Sequence, residues 1–432
     1  MKKEKNVNRR DFLRNTTTAG LASVFVSTTG LAASRDPNAE SVTPVTPTKP
    51  TSEHPKPEFS QVSKRKLGKI MVEPPQGPKK PLEVSILNLG GMFDIPNNQI
   101  ILQKAVEWGV TYWDTAHGYG NGNSELGIGI YLKKHPKIRS ELFLVSKASG
   151  AKNIKDMDSR LKTTLKRMNT DYVDLYFIHG MANSNHLTNE IKEWAREKKK
   201  QGSVRCFGFS THKNMAKCLM GASKLNWIDA IMTTYNFRLM QDRDMQAAVE
   251  ACYQAGIGLI AMKTQGPGPI KPDSLQDQKL AGHFLKQGYT EHQAKLKAVW
   301  QDKRIASICS QMPSVAILGT NVAAAIDKTK LTRADNDVLS QYAQATCSDY
   351  CAGCSHICHG AAPETPCVSE VMRYLMYYHN YGDQRRARQL FAELPRQLRD
   401  RLTKTDYHLA EAHCPQRLPI AKLMSLACRE LA

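Results

Sequence analysis

Leu142-Phe143-Leu144-Val145-Ser146-Lys147 and Asp174-Leu175-Tyr176-Phe177-Ile178-His179 decide the fold of this chain. Each is a short apolar run ending on an ionisable residue, and the chain between them carries a helical pattern. Working outward, similar runs occur at Val84 to Leu89, Thr111 to Asp114, Val204 to Ser210, Ala230 to Thr234, Gly258 to Lys263 and Val315 to Leu318. Strand-like runs alternating with helices mean parallel strands joined by crossovers. Eight such units predict a (β/α)₈ barrel, for which about 250 residues are typical. A doubly wound sheet is the alternative, but no G-x-G-x-x-G follows the first run. In such a barrel the chemistry sits at the C-terminal strand ends. Asp114, Lys147 and His179 end successive runs and should meet at one mouth.

The rest of the chain divides by composition. Residues 34–63 are rich in Pro, Ser and Thr, with few large apolar groups, and read as a disordered linker. The barrel is assigned to 64–335 and a small, mainly helical, cysteine-rich module to 336–432. Val371 to Tyr381, dense in Met and Tyr, reads as a helix packed on the barrel. The formal net charge is +20. Such a field favours anionic partners in general, but no nucleic-acid-binding motif accompanies it. Cys206, Cys218, Cys252 and Cys309 stand in apolar contexts and read as small buried hydrophobes.

Asn8-Arg9-Arg10-Asp11-Phe12-Leu13-Arg14 resembles the twin-arginine export signal. An uncharged stretch from Ala19 to Ala33 follows and ends in small residues where a peptidase could cut. The resemblance implies a signal peptide over 1–33, the twin-arginine machinery as a partner and a periplasmic location. An uncleaved signal acting as an anchor is the alternative.

Asp114-Thr115-Ala116-His117-Gly118-Tyr119-Gly120, with Ser124-Glu125 downstream, resembles the aldo/keto reductase signature. So do Ser146-Lys147, Ile178-His179 and Gly208-Phe209-Ser210. The resemblance runs from about Lys66 to Lys330. It implies hydride transfer between NAD(P)H and a small carbonyl or alcohol substrate, with Tyr119, Lys147, Asp114 and His179 as the catalytic set. A carbonyl accepting hydride develops charge on oxygen and needs a proton donor and an oxyanion partner. Tyr119 is the donor, Lys147 should lower its pKa, Asp114 should hold Lys147, and His179 should orient the carbonyl and help relay the proton. By the same resemblance Ser210 bonds the nicotinamide carboxamide. Thr211 and His212 stand where the family often has Asn. Tyr235 and Asn236 fall where it supplies a stacking ring, and Lys263, Gly319, Thr320 and Asn321 fall at the pyrophosphate and adenosine end. A basic residue that the family often carries after the Gly319 position is absent, which leaves NADP against NAD open. A second reading keeps the barrel as a non-catalytic nicotinamide- or redox-sensing subunit.

Cys351, Cys354 and Cys358, preceded by Cys347 and followed by Cys367 and Cys414-Pro415, resemble a degraded pair of ferredoxin runs, C-x₂-C-x₂-C-x₃-C-P. In two-cluster ferredoxins the last cysteine of each run serves the other cluster. That resemblance implies one [4Fe–4S] cluster on Cys351, Cys354, Cys358 and Cys414, with Cys367 a relic, and a redox partner protein. Zinc, with His356, His359 and His413 nearby, and disulfides are the alternatives.

Overall fold

A computed structural model describes residues 61–73, 77–271 and 273–432. The predicted signal segment, with Arg9 and Arg10, and most of the predicted linker lie outside them. Eight parallel strands close into a barrel: β3 (Leu87–Gly90), β4 (Tyr112–Asp114), β5 (Phe143–Ala148), β6 (Val173–Ile178), β7 (Val204–Thr211), β8 (Ala230–Thr234), β9 (Gly258–Met262) and β10 (Ile305–Gln311), with β10 hydrogen-bonded back to β3. Helices α1 (Gln99–Glu107), α2 (Asn123–Lys134), α3 (Ile154–Met168), α4 (Asn189–Lys200), α5 (Met215–Ala222) and α6 (Arg243–Ala255) each follow one strand. After β9 come α7 (Leu275–Leu285) and α8 (Glu291–Gln301), and after β10 comes α9 (Val315–Ile326). Among the described residues no helix is long and apolar enough to cross a membrane.

Two strand expectations are corrected. The eighth strand is β10, and Val315 to Leu318 is the first turn of α9, started by Ser314, whose hydroxyl caps the Ile317 N–H. Val84 to Leu89 is not one strand. It breaks at Ile86 into the end of β2 (Lys80–Ser85) and the start of β3. β2 pairs antiparallel with β1 (Lys64–Val72). This hairpin drives Leu67, Leu82 and Val84 against Tyr112, Phe143, Leu175 and Ile260, the inward side chains of the barrel strands. It therefore plugs the barrel at the strands' N-terminal end. Val62, assigned to the linker, is buried, and its N–H donates to the Trp108 carbonyl at 3.0 Å.

Beyond α10 (Arg333–Ala345) the chain builds a second, helical core. Helices α11 (Ser355–Ala361), α12 (Val368–His379), α13 (Gln384–Ala392), α14 (Arg396–Arg399), α15 (His408–Ala412) and α16 (Ile420–Leu431) bury Val371, Leu375, Phe391, Leu423 and Met424 together. The module is latched to the barrel's C-terminal rim. Asn236 donates to the Tyr350 hydroxyl at 3.1 Å, and Lys213 pairs with Glu370. The Asn214 N–H meets the Gly353 carbonyl at 2.9 Å. At Gly353 (φ +77°) a Cβ would stand 2.4 Å from the His212 carbonyl oxygen, so the approach requires glycine.

Candidate active site and cysteine cavity

Strand alternation aims the site. Side chains two residues apart share a face, and Tyr112, Phe143, Val145, Leu175, Phe177 and Cys206 fill the barrel interior. The same parity carries Asp114, Lys147, His179 and Ser210 inward at the top. Lys147, 1% exposed, pairs with Asp114 and donates to the Thr115 carbonyl at 2.8 Å. Its ammonium lies 4.9 Å from the centre of the Tyr119 ring, and the ring meets His179 edge-on at 5.7 Å. The four predicted catalytic residues therefore come together.

The tyrosine loop is held from below. Glu125 accepts from Ser146 Oγ (2.7 Å), Thr164 Oγ1 (2.6 Å) and Arg167 (3.0 Å), while Arg167 also donates to the His117 carbonyl. Ser124 donates to the Gly91 carbonyl at 2.6 Å. Gly122 (φ +96°) leaves room for the Arg167 guanidinium, which a Cβ would meet at 2.4 Å. Ser124 and Glu125 thus fix the loop that presents Tyr119.

Electrostatics differ from expectation at Tyr119. Burial is the largest influence and raises the phenol to about 12, against the opposing pull of Lys147. Burial is the largest single influence on Lys147 and draws it down, but Asp114, Tyr119 and Cys309 together outweigh it and the ammonium is held above its usual value. His179 falls to about 3, through burial first and then Lys147, Arg386 and Arg373. Held that low it is a neutral imidazole, the form suited to orienting a carbonyl by hydrogen bonding. Ser149, which the sequence reading passed over, sets its tautomer. Ser149 Oγ accepts from the Gly118 N–H (3.2 Å) and lies 2.6 Å from His179 Nδ1. Assigned from this network, the hydroxyl hydrogen goes to Nδ1, which leaves Nε2–H as a donor.

The predicted cofactor residues divide. Ser210 is buried, and its hydroxyl accepts from the Gly180 N–H at 3.1 Å. Lys263 lines a cavity of about 410 Å³ between the mouth and the module, with His212, Thr234, Tyr350 and Arg373, and no carboxylate lines it. Burial lowers Lys263 to about 7. Tyr235 is a correction: its parity turns it outward, where its hydroxyl meets Asp302 (2.6 Å) and Gln246 (2.9 Å). No ring fixed there can stack in the mouth. Thr211 also faces out, its hydroxyl on the Lys213 carbonyl. Asn236 is spent on Tyr350 and the Lys263 carbonyl. Gly319 and Thr320 lie inside α9, Gly319 against Trp108 and Thr320 on the Ala316 carbonyl. Asn321, also in α9, donates to Ser310 at the end of β10.

A family model, that of the aldo/keto reductase family, matches residues 88–315, from β3 to the start of α9. The chain belongs to the aldo/keto reductase family. It is similar to an aldo-keto reductase of Gibberella moniliformis, 29% identical over 194 residues that cover 43% of this chain and 57% of that protein. It is also similar to Schizosaccharomyces pombe aldo-keto reductase yakc, a name that specifies NADP(+), at 26% identity over 183 residues covering 40% of this chain and 53% of that protein. The chain spans about half the length of these curated relatives. An aldo-keto reductase from Bacillus halodurans in its holo form superposes with a TM-score of 0.53 at 23% identity, over 65% of this chain and 96% of that one. At that identity the likeness speaks for the fold.

The cysteine module lies outside the segment matched to aldo/keto reductases. All eleven cysteines are unpaired thiols. Cys351, Cys354, Cys358 and Cys414 line one cavity of about 350 Å³, whose walls include Ile357, Val368, Leu418 and Ile420. Cys347, Cys367 and the three nearby histidines do not line it. Burial raises the thiols of Cys351 and Cys358 to about 12 and of Cys354 to about 11, and the four act on one another. Among the described residues no three His, Cys, Asp or Glu side chains are close enough to hold a single metal ion.

Proposed function

We propose that this chain is an exported NAD(P)-dependent oxidoreductase that interconverts a carbonyl and an alcohol and holds a [4Fe–4S] cluster in its C-terminal module. The observation that carries the enzymatic reading is the joint placement of Tyr119, Lys147, Asp114 and His179 in one mouth. Bound nicotinamide supplies the hydride. Ser210 and Lys263 are the mouth residues suited to hold it, beside a cavity whose lining carries Lys263 and Arg373 and no carboxylate, a charge balance that favours phosphate groups. Neutral His179 donates Nε2–H to the substrate oxygen and fixes the carbonyl. As charge grows on that oxygen, Tyr119 gives up its proton. The Lys147 ammonium then stabilises the phenolate left behind, and Asp114 keeps that ammonium charged and aimed.

What supports the cluster is the cavity lined by four thiols. Four thiols lining one apolar cavity could, once deprotonated, be held together by a cluster. Cys351, Cys354, Cys358 and Cys414 are its ligands in this reading.

The test is NADPH and NADH consumption against a panel of aldehydes and ketones, for wild type and Tyr119→Phe. Loss of the proton donor should reduce turnover by roughly 10²–10⁴-fold with cofactor binding nearly unchanged. A mutant as active as the wild type overturns the assigned site.

A further inference from the structure

The module that covers the mouth brings charge into it. Arg386, on α13, places its guanidinium 5.8 Å from the centre of the Tyr119 ring and 5.3 Å from that of Tyr377. Its Nε is buried without a hydrogen-bond partner, and among the described residues its side chain forms no ion pair. Arg373, on α12, is likewise without a carboxylate and lines the neighbouring cavity with Lys263. Both guanidiniums bear on His179, and both on Lys263. Neither guanidinium has a counter-charge among the described residues, and each is half-buried, Arg386 over the proton donor and Arg373 in the neighbouring cavity. The barrel supplies no acid to answer them, since Asp114 is already paired with Lys147.

We propose that the substrate is anionic, a carbonyl compound bearing a carboxylate beside its carbonyl, and that Arg386, with Arg373 behind it, receives that carboxylate. The proposal rests on the reductase reading of the Tyr119 site and deepens it. Arg386 stands over the tyrosine where the carbonyl must lie, and it does not line the larger cavity beside Lys263. A guanidinium offers a planar fork that matches a carboxylate. A 2-oxo acid would place its carbonyl oxygen toward Tyr119 and His179 and its carboxylate toward α13. Specificity would then be set by the C-terminal module, while the barrel supplies the chemistry.

The same cation could serve the pyrophosphate of the dinucleotide, so the experiment separates the two. Phenylglyoxylate and its methyl ester share a ketone and differ in charge. Calorimetry measures the binding of each to the purified full chain with NADP⁺ present, and steady-state kinetics measures their reduction. Wild type should bind the acid at least about tenfold more tightly than the ester, the worth of one charge-assisted hydrogen bond. Arg386→Gln should erase that preference, Arg386→Lys should keep part of it, and NADP⁺ binding should be unchanged in both. Thermal melting checks that each variant folds, and the lysine variant carries the comparison if the glutamine variant does not. Equal binding of acid and ester by wild type overturns the proposal, as does failure to bind the acid. A loss confined to NADP⁺ overturns it too and assigns Arg386 to the pyrophosphate. If neither probe is reduced, the reductase reading suffers, while the binding preference still decides this one.

Discussion

Tyr119 and His179 are both half-buried beneath the module, and loss of solvent moves them in opposite directions. Tyr119 is pushed up to about 12 and His179 down to about 3. Neither changes charge across the ordinary working range, so with cofactor saturating and chemistry limiting the rate, kcat should show no limb from either group between about pH 5 and pH 9. A stopped-flow pH profile checks this. A limb near the ordinary histidine value of about 6.5 would show that His179 works as an imidazolium. Stability has its own sign. A histidine depressed in the fold binds fewer protons folded than unfolded, so its contribution is present above about 6.5 and falls as the pH drops. His212, lowered well below its usual value by burial and by Arg373, adds to the same acid sensitivity. Asp114, Lys147 and His179 were legible in sequence as the polar ends of three successive apolar runs, and Tyr119 through the family resemblance of its loop. Ser149 and Arg386 were not: a lone serine and one arginine in a basic helix acquire meaning only from what tertiary contact sets beside them. Tyr235 shows the converse, since its parity with outward Ile231 could have been counted.

At the scale of elements, six of the eight barrel strands were legible as read, and β3 only in part, because the run Val84 to Leu89 joined its start to the end of β2. The eighth was not. β10, Ile305 to Gln311, interleaves Ser307, Cys309, Ser310 and Gln311 with its apolar residues, while the apolar run at Val315 belongs to a helix. Four apolar residues do not distinguish a strand from a buried helix turn. The cysteine segment was legible by spacing, and the ferredoxin resemblance already set Cys351, Cys354, Cys358 and Cys414 apart from Cys367; the packing brings those four to one cavity. Cys414 follows α15 and reaches the cavity of Cys351, Cys354 and Cys358, whereas Cys367 is buried elsewhere in the helical core. Cys414→Ala should therefore abolish or sharply reduce bound iron and sulfide in anaerobically purified protein, and Cys367→Ala should leave both near wild-type levels. Iron lost only in the Cys367 variant would exchange their roles. Zinc in the anaerobic wild type would replace the cluster.

For the whole molecule, an exported chain holding a cluster, as proposed above, would have the order of folding, cofactor insertion and export constrained by where the cavity sits. Its walls are built by α11, α12, the turn at Cys414 and the start of α16, and the module rests on the barrel through Tyr350, Gly353 and Glu370. The four thiols come together only in a folded chain. A route that threads the chain unfolded would deliver separate thiols to an oxidising compartment, where disulfides form and persist. A route for folded proteins would carry the loaded site intact, and that is what the Arg9-Arg10 segment implies. Replacing Arg9 and Arg10 together by Lys should leave the protein in the cytoplasm, folded and with its iron. Fractionation of tagged wild-type and variant strains, with iron measured in each fraction, checks both halves of the statement. Export of the variant at the wild-type level would overturn the twin-arginine route. Wild-type protein recovered from the periplasm without iron would show that the cluster is not loaded before transport.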